Sequence, residues 1–253
     1  MPGPLRRRLA AIAVALLASG CVSTSPSVAE LLPADVLLVG EQHDDPGHQV
    51  RHRDLVQSLA VRGKLAAVAI EMAEQGTSTA GLPREADDST VRASLRWDEA
   101  AWPWQPYAPA ILAAVKAGVP VLGANLPHER VRAAMQDASL DDTLDAASLE
   151  AQREAVRAGH CDLLPASQLA PMARVQIARD RMMARTVVAA AVRGQTVLLL
   201  AGAGHVDPSL GVPRHLPPSL TVRSLVLPPT GAAPAKDHCA DLRRQWRRAA
   251  PAS

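Results

Sequence analysis

The stretch Val36-Leu37-Leu38-Val39-Gly40-Glu41-Gln42-His43 runs from four apolar residues into a glycine, a carboxylate and an imidazole. A continuous apolar run of this length is typical of a strand that is buried on both faces, as in parallel sheets. Open α/β sheets place their ligand sites just beyond the carboxyl ends of such strands. The pattern recurs as Val197-Leu198-Leu199-Leu200-Ala201-Gly202-Ala203-Gly204-His205. We therefore expect one site that is assembled from both ends of the chain.

Apolar runs alternate with helical patterns through the rest of the chain, as they do in repeated βα units. The predicted strands are 36–40, 66–71, 119–124, 197–201 and 220–227. The predicted helices are 46–61, 106–116, 127–136 and 167–193. The pattern predicts an α/β fold with a largely parallel or mixed central sheet flanked by helices. Segment 76–160 is the least sheet-like, and we expect it to hold a helical insertion over the C-terminal edge of the strands.

The overall composition is that of an ordinary globular protein. Of 253 residues, 48% are hydrophobic and 21% are charged, and the net charge is only +2. This balance gives no reason to expect a nucleic-acid partner. The chain has four Trp, one Tyr and no Phe, so its core must be built from aliphatic side chains and Tyr107 is its only phenol.

The N-terminus has the pattern of a targeting segment. Arg6 to Arg8 are followed by the apolar run Leu9 to Ala18, which is too short for a lasting membrane span. The run ends in Leu17-Ala18-Ser19-Gly20-Cys21, which resembles a bacterial lipobox. We expect residues 1–20 to be a lipoprotein signal peptide, residues 21–32 a lipidated cysteine with its tether, and residues 33–253 the folded domain. The alternative is an ordinary secretory signal followed by an incidental cysteine.

Lipidation of Cys21 would place the protein on a bacterial membrane, which we predict to be the outer membrane, facing the periplasm or the cell surface. It would leave Cys161 and Cys239 as an even pair in an oxidising compartment. We predict a disulfide between them, and two free thiols are the alternative.

Polar side chains follow four of the predicted strands. They are Glu41 with His43, then Glu71, Asn125 and His205. The carboxyl ends of parallel strands share one edge of the sheet, so these residues can converge. Two imidazoles and two carboxylates suit a divalent metal or general acid–base chemistry. The alternative is that the carboxylates cap helices and the histidines only satisfy hydrogen bonds of loops.

Two helices carry further polar candidates. Gln176, Arg179 and Asp180 stand among apolar neighbours on the long helix, where we expect Arg179 or Asp180 to support the strand-end groups from behind. A surface ion pair is the alternative. His48 and His52 share one helix face at a spacing that can bind metal, but they lack the glutamate of the zinc-protease motif, so we expect a solvated polar face. The alternative is that His48 lines the pocket from the first turn of the helix.

The stretch Trp102-Pro103-Trp104-Gln105-Pro106-Tyr107 gathers most of the aromatic surface of the chain. Flat apolar side chains suit a planar hydrophobic ligand. A tyrosine oxygen is also a known axial ligand of ferric haem. The stretch could equally form a local aromatic cluster that closes the core.

Taken together, these segments resemble the ChaN-like haem-binding lipoprotein family, a branch of the Tiki/TraB and erythromycin-esterase-like superfamily. The resemblance covers nearly all of residues 33–246. It is carried by Gly40 to Asp44, Glu71-Met72, Trp104 to Tyr107, Ala124 to Pro127, His160-Cys161, Leu164-Pro165, Gln176, Arg179-Asp180, Gly202 to Val206 and Gly211 to Pro213.

The resemblance implies a membrane-anchored lipoprotein that binds haem for uptake. A member of the family binds haem at a dimer interface through tyrosine ligation, so the implied partners are haem, a second copy of the chain and an outer-membrane haem receptor. Tyr107 is then the expected axial ligand. The other pocket residues would be Glu41, His43, Glu71, Trp104, Asn125 and His205.

The wider superfamily supports a second hypothesis, a metal-dependent hydrolase of the protease or esterase type. Glu41 or Glu71 would act as general base, while His43 and His205 would hold a divalent metal or polarise the substrate. A third hypothesis is a structural lipoprotein with a vestigial site. Haem binding without catalysis is the hypothesis that we carry forward.

Overall fold

The computed structural model describes residues 26–231 and 237–249. The expected signal peptide and Cys21 lie outside the described residues. The elements of the fold, in chain order, are α1 (Val28–Leu31), β1 (Val36–Glu41), α2 (Pro46–Val61), β2 (Leu65–Glu74), α3 (Asp88–Ser94), α4 (Trp104–Lys116), β3 (Val121–Asn125), α5 (His128–Gln136), α6 (Ala146–Gly159), α7 (Ala166–Ala189), β4 (Thr196–Gly202), β5 (Val222–Val226) and α8 (His238–Ala249).

The described strands form one sheet in the order β3-β2-β4-β1-β5, and all of the pairs are parallel. The two apolar runs of the sequence are therefore direct neighbours, with Val36 opposite Val197 and Glu41 opposite Gly202. Every residue of β1 and of β4 is buried. The predicted α/β fold is confirmed, and of the two predicted sheet types, largely parallel or mixed, the sheet is parallel.

Helices cover both faces of the sheet, because successive side chains of a strand point to opposite sides. Leu37 and Val39 pack in a core with α2 and α4, whereas Leu38 packs in a second core with Met183 and Val187 of α7. The chain enters α2 through an N-terminal cap, in which the Asp45 side chain accepts a hydrogen bond from the backbone N–H of Gly47. This cap fixes where the chain turns away from the end of β1.

Segment 76–160 is mostly helical, as expected, but its helices do not form a single cap. Its α4 packs beside α2 as part of one helical layer, and its β3 completes one edge of the sheet. Its α5 and α6 both pack against α7. Of these helices, α6 reaches the C-terminal edge of the central strands and forms one wall of the cavity described below. No helix in the described part of the chain is long and apolar enough to cross a membrane.

Candidate functional site

A cavity of about 520 Å³ opens at the carboxyl ends of β1 and β4. One wall comes from these strand ends and the loops that follow them, and the opposite wall comes from one face of α6. The lining residues are Glu41, Gln42, His43, Gln152, Ala155, Val156, Gly159, His160, Gln176, Asp180, Gly202, Ala203, Gly204, His205, Asp207 and Leu210. The polar groups expected at the ends of β1 and β4 thus lie in one cavity.

Glu41, the last residue of β1, is buried at the base of the cavity. Its Oε1 accepts hydrogen bonds from the Tyr107 hydroxyl at 2.8 Å and from Nδ1 of His43 at 2.7 Å. Its Oε2 accepts one from Nε2 of Gln49 at 2.8 Å. Three donors therefore hold this buried carboxylate in a fixed orientation, as a charge out of water requires.

His205 lies between two buried carboxylates. Its Nδ1 donates to Oδ1 of Asp180 at 2.6 Å, and its Nε2 lies 3.3 Å from Oε1 of Glu71. The other oxygen of Glu71 accepts the backbone N–H of Gly202 at 2.7 Å. Asp180 is the residue of the long helix that reaches the strand-end histidine, as expected for a supporting group.

The electrostatics of this arrangement favour an imidazolium. Burial alone would lower the pKa of His205, but the carboxylates of Glu71 and Asp180 outweigh burial and raise that pKa to about 10. Burial alone would likewise raise the pKa of Glu71, but His205 and then His43 lower it to about 2. His205 is therefore positively charged and Glu71 is negatively charged at neutral pH.

His43 joins the two halves of the site. Its Nε2 lies 3.9 Å from Oε2 of Glu71, while its Nδ1 donates to Glu41. Burial opposes protonation of His43, but the two glutamates prevail and raise its pKa above the ordinary value. We refer to this continuous series as the acid–imidazole chain, which consists of Glu41, His43, Glu71, His205 and Asp180.

The aromatic stretch lies mainly in the core. Trp104 is 1% exposed, donates its indole N–H to Asp88 at 2.7 Å and packs against Trp97. The structure does not bring Trp104 to the cavity. Trp102 instead contacts His43 edge to face, with ring centroids 4.8 Å apart. This is the core cluster that the sequence left open as an alternative.

Tyr107 supports Glu41 from the core side. The ring is buried, and its hydroxyl is committed to the Glu41 carboxylate. Burial, followed by the charge of Glu41, raises the pKa of the phenol above its ordinary value. The phenolate that would ligate iron is therefore disfavoured, and Tyr107 is not among the residues that line the cavity.

The remaining predicted residues divide between two cavities. Gln176 lines the 520 Å³ cavity. Asn125 and Arg179 line a neighbouring cavity of about 480 Å³, into which Glu71 and Trp102 also project. Asn125 uses its Oδ1 to accept the backbone N–H of Leu126. Glu71 lies between the two cavities, so the structure separates Asn125 and Arg179 from the site around His43.

The expectation of a solvated histidine face on α2 is wrong. His48 and His52 are each 1% exposed, because α2 packs this face against the end of β1. His48 bonds the carbonyl of Pro228 through Nε2 and accepts the N–H of Gln42 at Nδ1. His52 lies 3.5 Å from Oε2 of Glu41, and burial lowers its pKa to about 4.

Sequence reasoning assigned no role to Gln49, which supports Glu41, or to His160, which lines the cavity. The available signal for Gln49 was its position on the same helix face as His52, in the first turn of the helix that follows Glu41. Among the described residues, no group of three or more His, Cys, Asp or Glu side chains could hold a metal ion. The divalent-metal alternative thus finds no support in the geometry.

A disulfide joins Cys161, the second residue after α6, to Cys239 in α8. This is the pairing that the cysteine count favours. It fixes the C-terminal helix to the segment that ends the α6 wall of the cavity. His238, next to Cys239, adds a contact from its ring Nε2 to the carbonyl of Gly159 at 3.3 Å.

Comparisons with known proteins agree on one family. The family model described as haem-binding uptake, Tiki superfamily, ChaN matches residues 27–216. The solved structure described as "Cofacial heme binding to ChaN of Campylobacter jejuni" is 23% identical, with a TM-score of 0.66 over 81% of this chain and 86% of that chain. The structure of the type III effector HopBA1 is 17% identical over 79% of each chain, and its TM-score of 0.38 is too low to indicate a shared fold.

No curated protein matches this chain in sequence. The family model nevertheless covers most of the described residues, including the whole acid–imidazole chain, and the ChaN structure shares the fold. The predicted family is thereby confirmed: the chain belongs to the ChaN family of haem-binding uptake proteins in the Tiki superfamily.

Proposed function

We propose that this protein binds haem in the 520 Å³ cavity at the carboxyl ends of β1 and β4, and that it serves haem uptake. Membership of a haem-binding uptake family supports the ligand class. The position of the cavity is where open α/β sheets bind ligands. Its volume lies within the range of about 300–1,000 Å³ that is usual for small-molecule sites.

The observation that carries this proposal is the mixed character of the cavity walls. Ala155 and Val156 of α6, together with Leu210, present apolar surface that can cover a porphyrin face. Three imidazoles, those of His43, His160 and His205, lie on the same cavity. An apolar slot with a few placed polar groups is the usual form of a cofactor site.

The acid–imidazole chain fits the role of a rigid wall. Its members hold one another by hydrogen bonds and ion pairs, so they do not have to rearrange when a ligand arrives. The buried Tyr107 belongs to this support through Glu41. The proposal therefore does not use Tyr107 as an iron ligand.

Titration of the full chain with haemin tests the proposal. We expect a saturable Soret band that differs from that of free haemin. Ala155→Trp should fill the apolar wall and weaken binding by about tenfold or more, a loss of about 1.4 kcal/mol per tenfold. Ala158→Trp is the matched control, since Ala158 is an exposed alanine of the same helix that does not line the cavity. A spectrum that stays that of free haemin, or equal binding by both variants, would contradict the proposal.

The acid–imidazole chain also supports a second candidate, the hydrolase. Strongly shifted pKa values beside a cavity are typical of acid–base sites, and both Glu71 and His205 have them. Hydrolysis of ester or peptide substrates that is lost in Glu71→Gln and kept in Glu85→Gln would support this candidate, because Glu85 is exposed and lines neither cavity. Absence of hydrolysis in a protein that binds haemin would remove it.

We further propose that a lipid on Cys21 holds the domain at a bacterial outer membrane, where a second copy and a haem receptor are its partners. The lipobox-like motif supports the anchor, and the Cys161–Cys239 disulfide is compatible with an oxidising compartment. The wild-type chain should sediment with membranes, whereas Cys21→Ser should be recovered in the soluble fraction. Equal distribution of the two would rule out lipid anchoring at this cysteine.

A further inference from the structure

We propose that Nε2 of His160 is the protein ligand of the haem iron. The inference rests on the proposed haem site and adds an iron ligand to it. Neither the sequence motifs nor the family match assigns that role to His160. His160 follows α6 directly and belongs to the face of that helix that lines the 520 Å³ cavity. Histidine nitrogen is a common protein ligand of haem iron.

The hydrogen bonding of the ring leaves the correct nitrogen available. Nδ1 of His160 lies 2.8 Å from the carbonyl oxygen of Val156, one helical turn earlier, and must donate its proton to it. The neutral ring then carries a lone pair on Nε2, which makes no hydrogen bond in the part of the chain that the structure describes. A ring N–H donated to a backbone carbonyl is the usual support of a metal-binding histidine.

The other two imidazoles of the cavity lack this freedom. Both nitrogens of His205 face carboxylates, those of Asp180 and Glu71. His43 donates Nδ1 to Glu41, and its Nε2 faces Oε2 of Glu71 at 3.9 Å, a carboxylate that favours a protonated ring. Iron binding would therefore cost His205 a contact with a carboxylate, and it would require His43 to lose the Nε2 proton that Glu71 favours.

The backbone around His160 is fixed on both sides. The N–H of His160 bonds the carbonyl of Val156, and its own carbonyl accepts the N–H of Leu163. Cys161 is buried, has a left-handed φ of 56° and is joined to Cys239. A ligand held by rigid neighbours keeps its geometry before iron arrives, which favours binding.

The test compares haemin complexes of full-length wild type, His160→Ala, His43→Ala and Tyr107→Phe by absorption and electron paramagnetic resonance spectroscopy. His128→Ala is the matched control, because His128 is exposed and does not line this cavity. We expect His160→Ala alone to lose the nitrogen-ligated spectrum and to bind haemin about tenfold or more weakly. Added imidazole should restore that spectrum in His160→Ala, which shows that the variant is folded.

The outcomes separate this inference from the proposed function. If the wild type binds haemin and His160→Ala keeps the same spectrum and affinity, the ligand assignment is overturned and the haem site stands. The assignment also fails if His43→Ala or Tyr107→Phe, and not His160→Ala, loses the spectrum. If the wild type itself binds no haemin, both the proposed function and the ligand assignment fall.

Discussion

Glu71, Asp180 and His205 bring two carboxyl groups and one imidazole together where there is little water. Glu71 is 4% exposed and Asp180 is 2% exposed, so each carboxylate depends on protein donors for the interactions that water would otherwise supply. His205 supplies one N–H to each of them. The ion pairs therefore couple the protonation of this one ring to the stability of the strand ends.

The pKa of His205 predicts a loss of stability in alkali. Its value of about 10 in the folded chain exceeds the ordinary value of 6.5, so its contribution is complete below pH 6.5 and is lost as the pH rises through 10. We expect the free energy of unfolding to fall by on the order of 3 kcal/mol between pH 7 and pH 10, at about 1.4 kcal/mol per pKa unit. Urea denaturation at a series of pH values measures this slope.

His205→Gln is the control for this pH dependence, because the amide does not titrate. The variant should be less stable at pH 7 and should show a much flatter profile between pH 7 and pH 10. His128→Gln, at an exposed position, should keep the wild-type profile. An unchanged slope in His205→Gln would mean that other groups cause the alkaline loss.

At the scale of elements, the site depends on how β1 and β4 end side by side. Gly40 pairs with Ala201 and Glu41 pairs with Gly202, and the turn Ala203–Val206 then folds back over the end of β1. A Cβ on Gly40 would come within 2.4 Å of Val206 Cγ2 and 2.9 Å of the Cα of Ala203. The close approach of strand and turn therefore requires glycine at position 40.

Alanine at these two glycines should separate packing from site geometry. Gly40→Ala meets backbone that cannot move aside, and we expect it to cost about 1–3 kcal/mol of unfolding free energy. Gly202→Ala meets chiefly the imidazole of His43, which can rotate away. Gly202→Ala should cost less stability but break the hydrogen bond from His43 to Glu41. NMR of the His43 ring measures the loss of that hydrogen bond, and urea denaturation measures the stability of both variants. The reverse order of stabilities would contradict this account.

At the scale of the whole molecule, the disulfide joins α8 to a body whose hydrophobic cores contain no residue of α8. The loop that it closes spans 78 residues in the unfolded chain. In the folded chain, hydrogen bonds to Asp45 already hold the chain at Thr230, so the remaining loop to Cys239 is roughly nine times shorter. The disulfide should therefore stabilise the folded chain only by the difference between the entropy of closing the longer loop and that of closing the shorter one.

Replacing both cysteines by serine should accordingly lower the free energy of unfolding by about 2 kcal/mol, since each doubling of loop length is worth about 0.6 kcal/mol. A loss near 4 kcal/mol, which a free loop of this length would give, would show that α8 packs as part of the cooperative body. Urea denaturation of the oxidised wild type and of the Cys161→Ser/Cys239→Ser variant distinguishes these values. Reduced wild type should match the variant.

The sequence by itself determined the α/β fold with a largely parallel or mixed sheet, and the convergence of Glu41, His43, Glu71 and His205. These features follow from local patterns, because buried apolar runs form strands and parallel strands bring their carboxyl ends to one edge. Asp180 could be found in the same way, as a charged residue on an apolar helix that needs a partner. The disulfide followed from counting the cysteines of the chain.

Only the tertiary structure decided which way the remaining side chains face. It buried His48 and His52, committed Tyr107 to Glu41, left Trp104 in the core and gave His160 a place on the cavity. Each of these outcomes depends on packing between α2, α4, α6 and the sheet, whose contacts are distant in sequence. Periodicity identifies the polar residues on a helix, but the neighbouring elements determine whether those residues meet water, a carboxylate or a ligand.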